Sequence, residues 1–186
     1  MKIRLASTLQ IDSIVDGLGI RTVIWTQGCP HNCLGCHNPS THSFDDGKLI
    51  DIEDIKEELN ILSGQDGITF SGGDPMCQPA ACYEIAKHAH KIGLNVWCYT
   101  GYTYEALLNL GKTKPSIIQF LNEIDVLIDG KFILNEKSYD LKFKGSKNQR
   151  IINVRESLNT GQVCLNEIDF KTPRRKEIQN IECIYI

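Results

Sequence analysis

Short apolar runs alternate with amphipathic segments along most of this chain, and this order restricts the possible folds more than any other feature. β-Branched and aromatic residues predict strands at residues 21–27, 67–70, 94–99 and 126–128. Apolar residues spaced three and four apart predict helices at residues 51–62, 79–92, 104–110 and 115–122. Strands that alternate with helices run parallel and are joined by right-handed crossovers. The sequence therefore predicts an α/β fold.

The length of the chain limits how such a sheet can close. A closed eight-stranded barrel needs about 200 residues or more, and this chain has 186. We therefore expect a partial, open (β/α) barrel of about five or six mostly parallel strands, in a single domain over residues 1–186. Residues 166–186 mix charged residues with a short apolar end, so they could form a final strand or a peripheral C-terminal segment.

The overall charge and hydropathy point away from nucleic acid and from membranes. Twenty basic and 23 acidic residues give a net charge of −3, which does not indicate a nucleic-acid partner. The chain has no apolar stretch near the ~18 residues of a membrane span, and its first residues lack the apolar core of a secretory leader. We expect a cytoplasmic protein. The basic segment 142–150 fits either a solvated loop or a surface for a partner protein.

Three cysteines lie in one short loop after the first predicted strand, Cys29, Cys33 and Cys36, in a C-x3-C-x2-C pattern. Thiolates at this spacing can bind three irons of a 4Fe-4S cubane and leave the fourth iron open as a reaction site. A structural zinc site is one alternative. Three histidines lie close enough in sequence to be considered as zinc ligands: His31, His37 and His42. A non-catalytic metal or electron-transfer module is another alternative.

The remaining cysteines show no ligand spacing. We expect them to be free buried thiols: Cys77, Cys82, Cys98, Cys164 and Cys183. A disulfide framework is not expected, because cytosolic thiols stay reduced.

Every other unusual motif also follows a predicted strand. These motifs are Gly72-Gly73-Asp74, Thr100-Gly101-Tyr102 and Asp129-Gly130-Lys131. Ligands bind beyond the carboxyl ends of parallel strands, so we expect these loops and the cysteine loop to surround one basin. Gly72-Gly73 fits either a tight turn with a positive φ or a close approach of the backbone to a small polar ligand. Asp74 could then offer its carboxylate to a cation or an amine.

The cysteine triplet followed by Gly72-Gly73-Asp74-Pro75 resembles the radical S-adenosylmethionine superfamily. Within it the chain is most similar to the small activating enzymes of glycyl-radical proteins, in particular those of anaerobic ribonucleoside-triphosphate reductases. The segments that carry the resemblance are residues 16–22, 27–33, 36–39, 71–75, 99–102, 129–132 and 145–150. They span most of the chain up to residue 154.

This resemblance implies a 4Fe-4S cluster and S-adenosylmethionine as cofactors. The reduced cluster gives one electron to the sulfonium, the S–C5′ bond breaks, and a 5′-deoxyadenosyl radical abstracts a hydrogen atom, while the protein positions and shields. The implied substrate is a glycine of an anaerobic ribonucleoside-triphosphate reductase, which becomes a glycyl radical. Reduced flavodoxin or a similar carrier would supply the electron. Another glycyl-radical enzyme, such as pyruvate formate-lyase, is the alternative partner.

The resemblance also implies roles for the first group of candidate site residues. The three cysteines would be the cluster ligands, and Gly72, Gly73 and Asp74 would meet the methionine amino group. No side chain is expected to act as a catalytic group, because the chemistry belongs to the cofactors. His88 and His90 lie on a predicted helix and are expected to be surface or hydrogen-bonded histidines instead of ligands.

A second group of residues would complete the site. Asp129 and Lys131 resemble an Asp-x-Lys pair that contacts S-adenosylmethionine. Many members of the superfamily have an aromatic residue just before the third cysteine, whereas this chain has Gly35. Adenine is therefore expected to lie against the backbone of Gly35 and Cys36, with His37 alongside.

Overall fold

A computed structural model describes residues 1–166, and within this range it contains eight strands and five helices. The strands are β1 (Lys2–Leu5), β2 (Gln10–Ser13), β3 (Arg21–Thr26), β4 (Lys48–Asp51), β5 (Gly67–Gly72), β6 (Asn95–Tyr99), β7 (Val126–Asp129) and β8 (Arg150–Asn153). The helices are α1 (Ile52–Ile61), α2 (Pro79–Lys91), α3 (Tyr104–Gly111), α4 (Pro115–Asn122) and α5 (Val154–Thr160). The four predicted strands and four predicted helices are all present, with ends shifted by at most two residues.

The strands form one sheet in the order β4-β1-β3-β5-β6-β7-β8, with β2 also paired to β3. The central strands β3, β5, β6 and β7 are parallel neighbours, which confirms an α/β sheet with a parallel centre. The other four strands join through antiparallel pairs. The expected number of five or six strands is wrong, because it omits most of these short antiparallel strands. β4 and β8 end the sheet, and no pairing within residues 1–166 joins them.

Helices cover one face of the sheet. Ile24, Phe70 and Val96 point to this face from three central strands and are fully buried. Phe120 of α4 meets Phe70 edge-on, with 5.2 Å between the ring centroids. This large core holds the central strands in register, so that their carboxyl ends lie at one edge of the sheet.

The opposite face carries a smaller cluster that, in the described part of the chain, contains no helical residue. Trp97, Val126 and Ile128 form it, because successive residues of a strand point to opposite faces. Phe143, from the loop before β8, packs edge-on against Trp97 with 5.4 Å between the ring centroids. A loop therefore takes the place that a helix has on the other face.

A buried arginine lies at the amino-terminal end of β3, away from the cysteine loop. The Arg21 guanidinium donates to Thr69 Oγ1 at 2.6 Å and to the carbonyl of Ile68 at 2.5 Å, and it lies 5.1 Å from the centroid of the Trp97 ring. Burial lowers the pKa of Arg21 to about 10, so it remains charged near neutral pH. These contacts tie β3, β5 and β6 together at the end remote from the site.

Two histidines of α2 are held by hydrogen bonds, as the sequence predicts. His90 contacts Glu123 through Nδ1 at 2.9 Å and Asp125 through Nε2 at 3.0 Å. His88 contacts Asn60 at 2.9 Å. Neither histidine lines the clefts at the carboxyl edge of the sheet that are described below.

The chain after α5 returns to the sheet. Leu165 pairs with Ile152, and the amide of Asn166 donates to the carbonyl of Ile151 at 2.8 Å. Residues 167–186 lie outside the described part, and with them most of the predicted C-terminal segment and Cys183. The assignment of the whole chain to one domain therefore stays a prediction. None of the helices in residues 1–166 combines the length and the apolar character needed to cross a membrane.

Candidate active site

The cysteine loop begins at the carboxyl end of β3 and folds back on itself. The amide of Gly28 donates to the carbonyl of Thr41 at 2.9 Å, which closes the base of the loop. Asn32 and Gly35, with φ of 48° and 75°, turn the chain between the cysteines. As a result the thiols of Cys29, Cys33 and Cys36 are all half-buried and line one cleft of about 120 Å³.

Backbone N–H groups act on the thiols of Cys29 and Cys36. Burial raises the pKa of the Cys29 thiol, and hydrogen bonds from the amides of His31 and Asn32 act in the opposite direction. The amide of Asn38 donates to Cys36 Sγ at 3.4 Å. Such hydrogen bonds favour the thiolate, which is the form that binds iron.

The thiols fit the donor set of an iron-sulfur cluster. Among residues 1–166 no group of three or more Cys, His, Asp or Glu side chains surrounds a single-ion position. A 4Fe-4S cluster does not need such a group, because each cysteine binds a different iron. Of the histidines considered as zinc ligands, His31 contacts Asp74 through Nε2 at 2.7 Å, His37 packs against the ring of Phe132, and His42 lines the cleft.

The other cysteines in the described residues are all free thiols. Cys82 and Cys98 are buried, as expected, and burial raises the pKa of both. The expectation of burial is wrong for Cys77 and Cys164, which are only half-buried because they lie in a turn and in the chain after α5. Burial still raises the pKa of Cys77 to about 12.

The Gly72-Gly73 turn lies against the base of the cysteine loop. Gly72 has a φ of +99°, and a Cβ there would lie 2.5 Å from the carbonyl oxygen of Thr26. A Cβ on Gly73 would lie 2.4 Å from the carbonyl oxygen of Gly28. Gly72 is thus required for its positive φ, and both glycines are required because another backbone segment of this chain lies against them. Both glycines also line the cleft with the thiols.

The Asp74 carboxylate is fully buried and accepts hydrogen bonds from several protein groups. Its donors are Thr100 Oγ1 at 3.0 Å to both oxygens, the amide of Gly101 at 3.0 Å, the amide of Met76 at 3.0 Å and His31 Nε2 at 2.7 Å. Asp74 therefore joins the end of β5 to the end of β6 and to the cysteine loop. Its direct contact with a bound amine stays a prediction, and it would require exchange of one of these hydrogen bonds.

Asp129 is also buried, with 1% of its side chain exposed. Its carboxylate accepts from the amide of Tyr104 at 2.8 Å, from Arg150 Nε at 3.0 Å and from Arg150 Nη2. Arg150 donates to both oxygens of Glu105 as well, at 3.0 and 2.8 Å. Sequence patterns did not reveal this partner, because Arg150 lies 21 residues from Asp129 and belongs to the basic segment 142–150. All three guanidinium nitrogens of Arg150 thus donate to carboxylates of this chain.

Lys131, unlike Asp129, is exposed. It lines a groove of about 570 Å³ together with His31, Tyr102 and Asn148. The groove lies at the same edge of the sheet as the thiol cleft, since His31, Gly101 and Gly130 line both. The ammonium group is therefore placed where it could meet a carboxylate that enters from solvent.

Gly35 precedes the third cysteine for a structural reason. Its φ of +75° disfavours any other residue, and a Cβ there would lie 2.9 Å from Leu134 Cδ1. An aromatic residue at this position would need a different loop. His37, two residues later, is exposed and lies with its ring 5.0 Å from that of Phe132. Phe132, which belongs to the segment 129–132 but has no role in the sequence-based prediction, lines the cleft beside the cysteines.

A second cleft of about 430 Å³ extends from Cys36 along the face of the sheet that carries Trp97. Tyr99, Phe132 and Gln149 line this cleft and the thiol cleft alike, so the two are continuous. Burial raises the pKa of the Tyr99 phenol, which keeps it neutral. Gln149 accepts from the amide of Gly145 at 2.8 Å and donates to the carbonyl of Gly130 at 3.0 Å. It thereby fixes the loop that borders both clefts.

Comparison with known proteins agrees with this geometry. A family model described as "4Fe-4S single cluster domain" matches residues 15–152. The anaerobic ribonucleoside-triphosphate reductase-activating protein of Escherichia coli K12 is 32% identical over 151 residues, which cover 76% of this chain and 94% of that protein. The proteins of the same name from Vibrio cholerae and from phage T4 are 33% and 34% identical over 74% of this chain, and 90% and 86% of their own lengths are covered.

Among solved structures, QueE from Escherichia coli aligns with 55% of this chain and 54% of its own, at 15% identity and a TM-score of 0.43. The sequence comparisons match most of the chain, including the three half-buried thiols and the loops that surround them. The chain therefore belongs to the family of anaerobic ribonucleoside-triphosphate reductase-activating proteins and carries a 4Fe-4S single cluster domain.

Proposed function

We propose that this protein is an activating enzyme that cleaves S-adenosylmethionine at its 4Fe-4S cluster and removes a hydrogen atom from a glycine of an anaerobic ribonucleoside-triphosphate reductase. The observation that carries the proposal is that the three half-buried thiols share one cleft with Gly72, Gly73 and Gly130. When bound, the cluster and S-adenosylmethionine supply the one-electron bond cleavage that generates an organic radical. The protein binds, orients and shields these groups.

The proposed ligands of the cluster are Cys29, Cys33 and Cys36. Their sulfur atoms are half-buried, and backbone amides donate to Cys29 and Cys36. A fourth iron without a protein ligand would face the turn at Gly72 and Gly73, which lines the same cleft. This turn would place backbone groups near the methionine amino group, and Asp74 would hold the turn in place through its hydrogen bonds.

The rest of S-adenosylmethionine would lie between the loops that follow β3 and β7. The exposed Lys131 ammonium would pair with the methionine carboxylate. Asp129 is held by Arg150, so its role would be to fix the loop that carries Lys131. Adenine would lie along the backbone of Gly35 and Cys36.

Aromatic groups border this proposed adenine site. The rings of His37 and Phe132, 5.0 Å apart, would lie beside the base.

The second cleft would admit the glycine-bearing segment of the reductase. It is continuous with the thiol cleft and runs along the sheet face that carries Trp25, Ser71 and Tyr99. We propose that the sheet curves around this face as a partial, open (β/α) barrel. The antiparallel outer strands and the absence of a pairing between β4 and β8 in residues 1–166 support an open form.

The cytoplasm is the proposed location, because the seven described cysteines are all free and the cluster needs reduced thiols. Reduced flavodoxin or a similar carrier is the proposed electron donor. The net charge of −3 does not indicate a nucleic-acid partner, so no nucleic acid is included in the proposal.

Iron analysis and a cleavage assay test this function in the anaerobically purified full chain. The wild-type protein should bind about four irons and, once reduced, release 5′-deoxyadenosine from S-adenosylmethionine. Cys29→Ala, Cys33→Ala and Cys36→Ala should each abolish both properties, whereas Cys164→Ala, at a half-buried thiol outside the cleft, should retain them. Full activity in any one of the first three variants would contradict the proposal.

The same protein distinguishes the alternatives. Incubation with an anaerobic ribonucleoside-triphosphate reductase should produce a glycyl-radical signal in paramagnetic resonance. A signal with pyruvate formate-lyase alone would identify the other partner. Metal content without any cleavage of S-adenosylmethionine would indicate a non-catalytic module.

A further inference from the structure

His31 lies between the first two cysteines, and its side chain reaches the edge of the sheet. Only 7% of the side chain is exposed, and Nε2 lies 2.7 Å from Asp74 Oδ2. An ionised carboxylate only accepts hydrogen bonds, so Nε2 carries the hydrogen and donates it. The cysteine loop is therefore attached to the sheet edge by a buried, charge-assisted hydrogen bond.

Both ends of this hydrogen bond are held rigidly. Asp74 is fully buried, and Thr100 Oγ1 and the amide of Gly101 fix its carboxylate. The His31 ring lies edge-on to Tyr102, with 4.5 Å between the ring centroids. A Cβ on Gly101 would come within 2.2 Å of His31 Cδ2, so the ring fills all the space beside this glycine. The imidazole thus has one position, and it fixes the backbone of its own residue.

That backbone lies two residues after the first cysteine of the loop. Hydrogen bonding by the amides of His31 and Asn32 lowers the pKa of the Cys29 thiol, against the larger effect of burial, which raises it. Hydrogen bonds to the sulfur atoms of an iron-sulfur cluster help to set its reduction potential. They stabilise the reduced cluster more than the oxidised one, because the reduced cluster carries the greater negative charge.

We propose that the hydrogen bond from His31 to Asp74 holds the cysteine loop in its cluster-binding conformation, directs the two amides at Cys29, and thereby raises the reduction potential of the cluster. His31 is then a positioning residue that acts through the backbone and does not touch the iron. The inference rests on the proposed function, since it takes Cys29 as a cluster ligand.

Two substitutions of different chemistry test this proposal in the full chain. His31→Gln keeps an N–H donor at nearly the reach of Nε2, whereas His31→Phe keeps a ring of similar size without a donor. The readout is the midpoint potential of the cluster, followed by the paramagnetic signal of its reduced form without S-adenosylmethionine. Iron and sulfide content are measured on the same samples. His88→Gln, on the surface of α2, is the control for histidine replacement.

We expect His31→Phe to shift the reduction equilibrium about tenfold toward the oxidised cluster, the effect of one charge-assisted hydrogen bond. For a one-electron couple this lowers the midpoint by about 59 mV. His31→Gln and His88→Gln should stay near the wild-type value. Loss of iron in His31→Phe with retention in His31→Gln would also support the proposal, because only one of these variants lacks the donor.

Three results would overturn it. Wild-type midpoint potentials in both His31 variants would show that the hydrogen bond from His31 to Asp74 does not affect the reduction potential of the cluster. Equal shifts or equal iron losses in both would show that the ring packing matters and the donor does not. A wild-type protein that binds no cluster would overturn the proposed function together with this inference, and iron analysis distinguishes that case from the other two.

Discussion

Replacement of Arg150 by glutamine should destabilise the apoprotein strongly, because it removes the main partner of a buried carboxylate. Asp129 is 1% exposed and receives hydrogen bonds from Arg150 Nε and Nη2. Of the three hydrogen bonds that Asp129 accepts in the wild-type protein, only the one from the amide of Tyr104 remains after the substitution. The contacts from Arg150 to Glu105 are lost as well, but Glu105 is 58% exposed and can be solvated by water.

The Arg150–Asp129 pair stabilises the fold more than the Arg150–Glu105 pair, because Asp129 is buried and Glu105 is exposed. Removal of one partner from a buried ion pair costs about 3–5 kcal/mol, and an exposed pair contributes about 0–1 kcal/mol. Because the Arg150 side chain is 32% exposed, the low end applies to its bond with Asp129. The expected loss in the free energy of unfolding is about 3–4 kcal/mol in total. This corresponds to a fall in Tm of roughly 6–16 °C for a chain of this size.

Anaerobic urea unfolding of the apoprotein, followed by circular dichroism, measures this loss. Glu105→Gln is the matched control and should lose less than about 1 kcal/mol. The double variant Arg150→Gln with Asp129→Asn should recover much of the loss, because it leaves no buried unpaired charge. Equal losses in Arg150→Gln and Glu105→Gln, or no recovery in the double variant, would refute the reasoning.

The same network predicts a dependence on pH. Hydrogen bonds from Arg150 lower the pKa of Glu105 from 4.5 to about 2. A lowered pKa means that the folded state favours the ionised form, so this stabilisation is complete above about pH 4.5 and disappears as the pH falls toward 2. In Glu105→Gln this part of the pH dependence should be absent.

Three further predictions concern other parts of the site. Gly73→Ala should contain less iron in metal analysis, because the added Cβ would lie 2.4 Å from a backbone oxygen of the cysteine loop. The control Gly93→Ala should retain its iron, because a Cβ at Gly93 meets nothing within 4 Å. Lys131→Gln should weaken binding of S-adenosylmethionine about tenfold in calorimetric titration, the effect of one charge-assisted hydrogen bond; iron content and the Lys91→Gln control should be unchanged. Arg21→Leu should lower the free energy of unfolding by roughly 2–4 kcal/mol in urea, because buried acceptors lose their donor; a loss below ~1 kcal/mol would contradict this.

The parallel centre of the sheet could be predicted from sequence, and its outer strands could not. Strands β3, β5, β6 and β7 are mostly buried and rich in β-branched and aromatic residues. β4 is four residues long and half exposed, and β8 begins with Arg150 at the end of a basic segment. Such strands are formed by pairing with a neighbour and leave little trace in their own residues.

The candidate site also has a part that could be predicted from sequence and a part that could not. The proposed cluster ligands could be recognised because the spacing of the cysteines in sequence is itself the chemical requirement. The partners of the buried carboxylates are not, because His31 and Thr100 lie 43 and 26 residues from Asp74. Asp74 and Asp129 both look like ligand groups in a sequence, and only the fold shows that protein donors already occupy them. The sequence shows that Arg150 is charged, but it does not show that Asp129 is its partner.

Within residues 1–166 helices cover one face of the sheet and not the other, and we expect this to link partner binding to the stability of the protein itself. A sheet with a parallel centre is normally covered on both faces, and here a loop with Phe143 is the main cover over Trp97 on the second face. A polypeptide segment that enters the 430 Å³ cleft would act as a temporary outer layer of the domain. A segment that binds the folded state of the protein and not its unfolded state raises the melting temperature of the protein by mass action. Thermal shift in the presence of candidate peptides would therefore rank them without any radical chemistry.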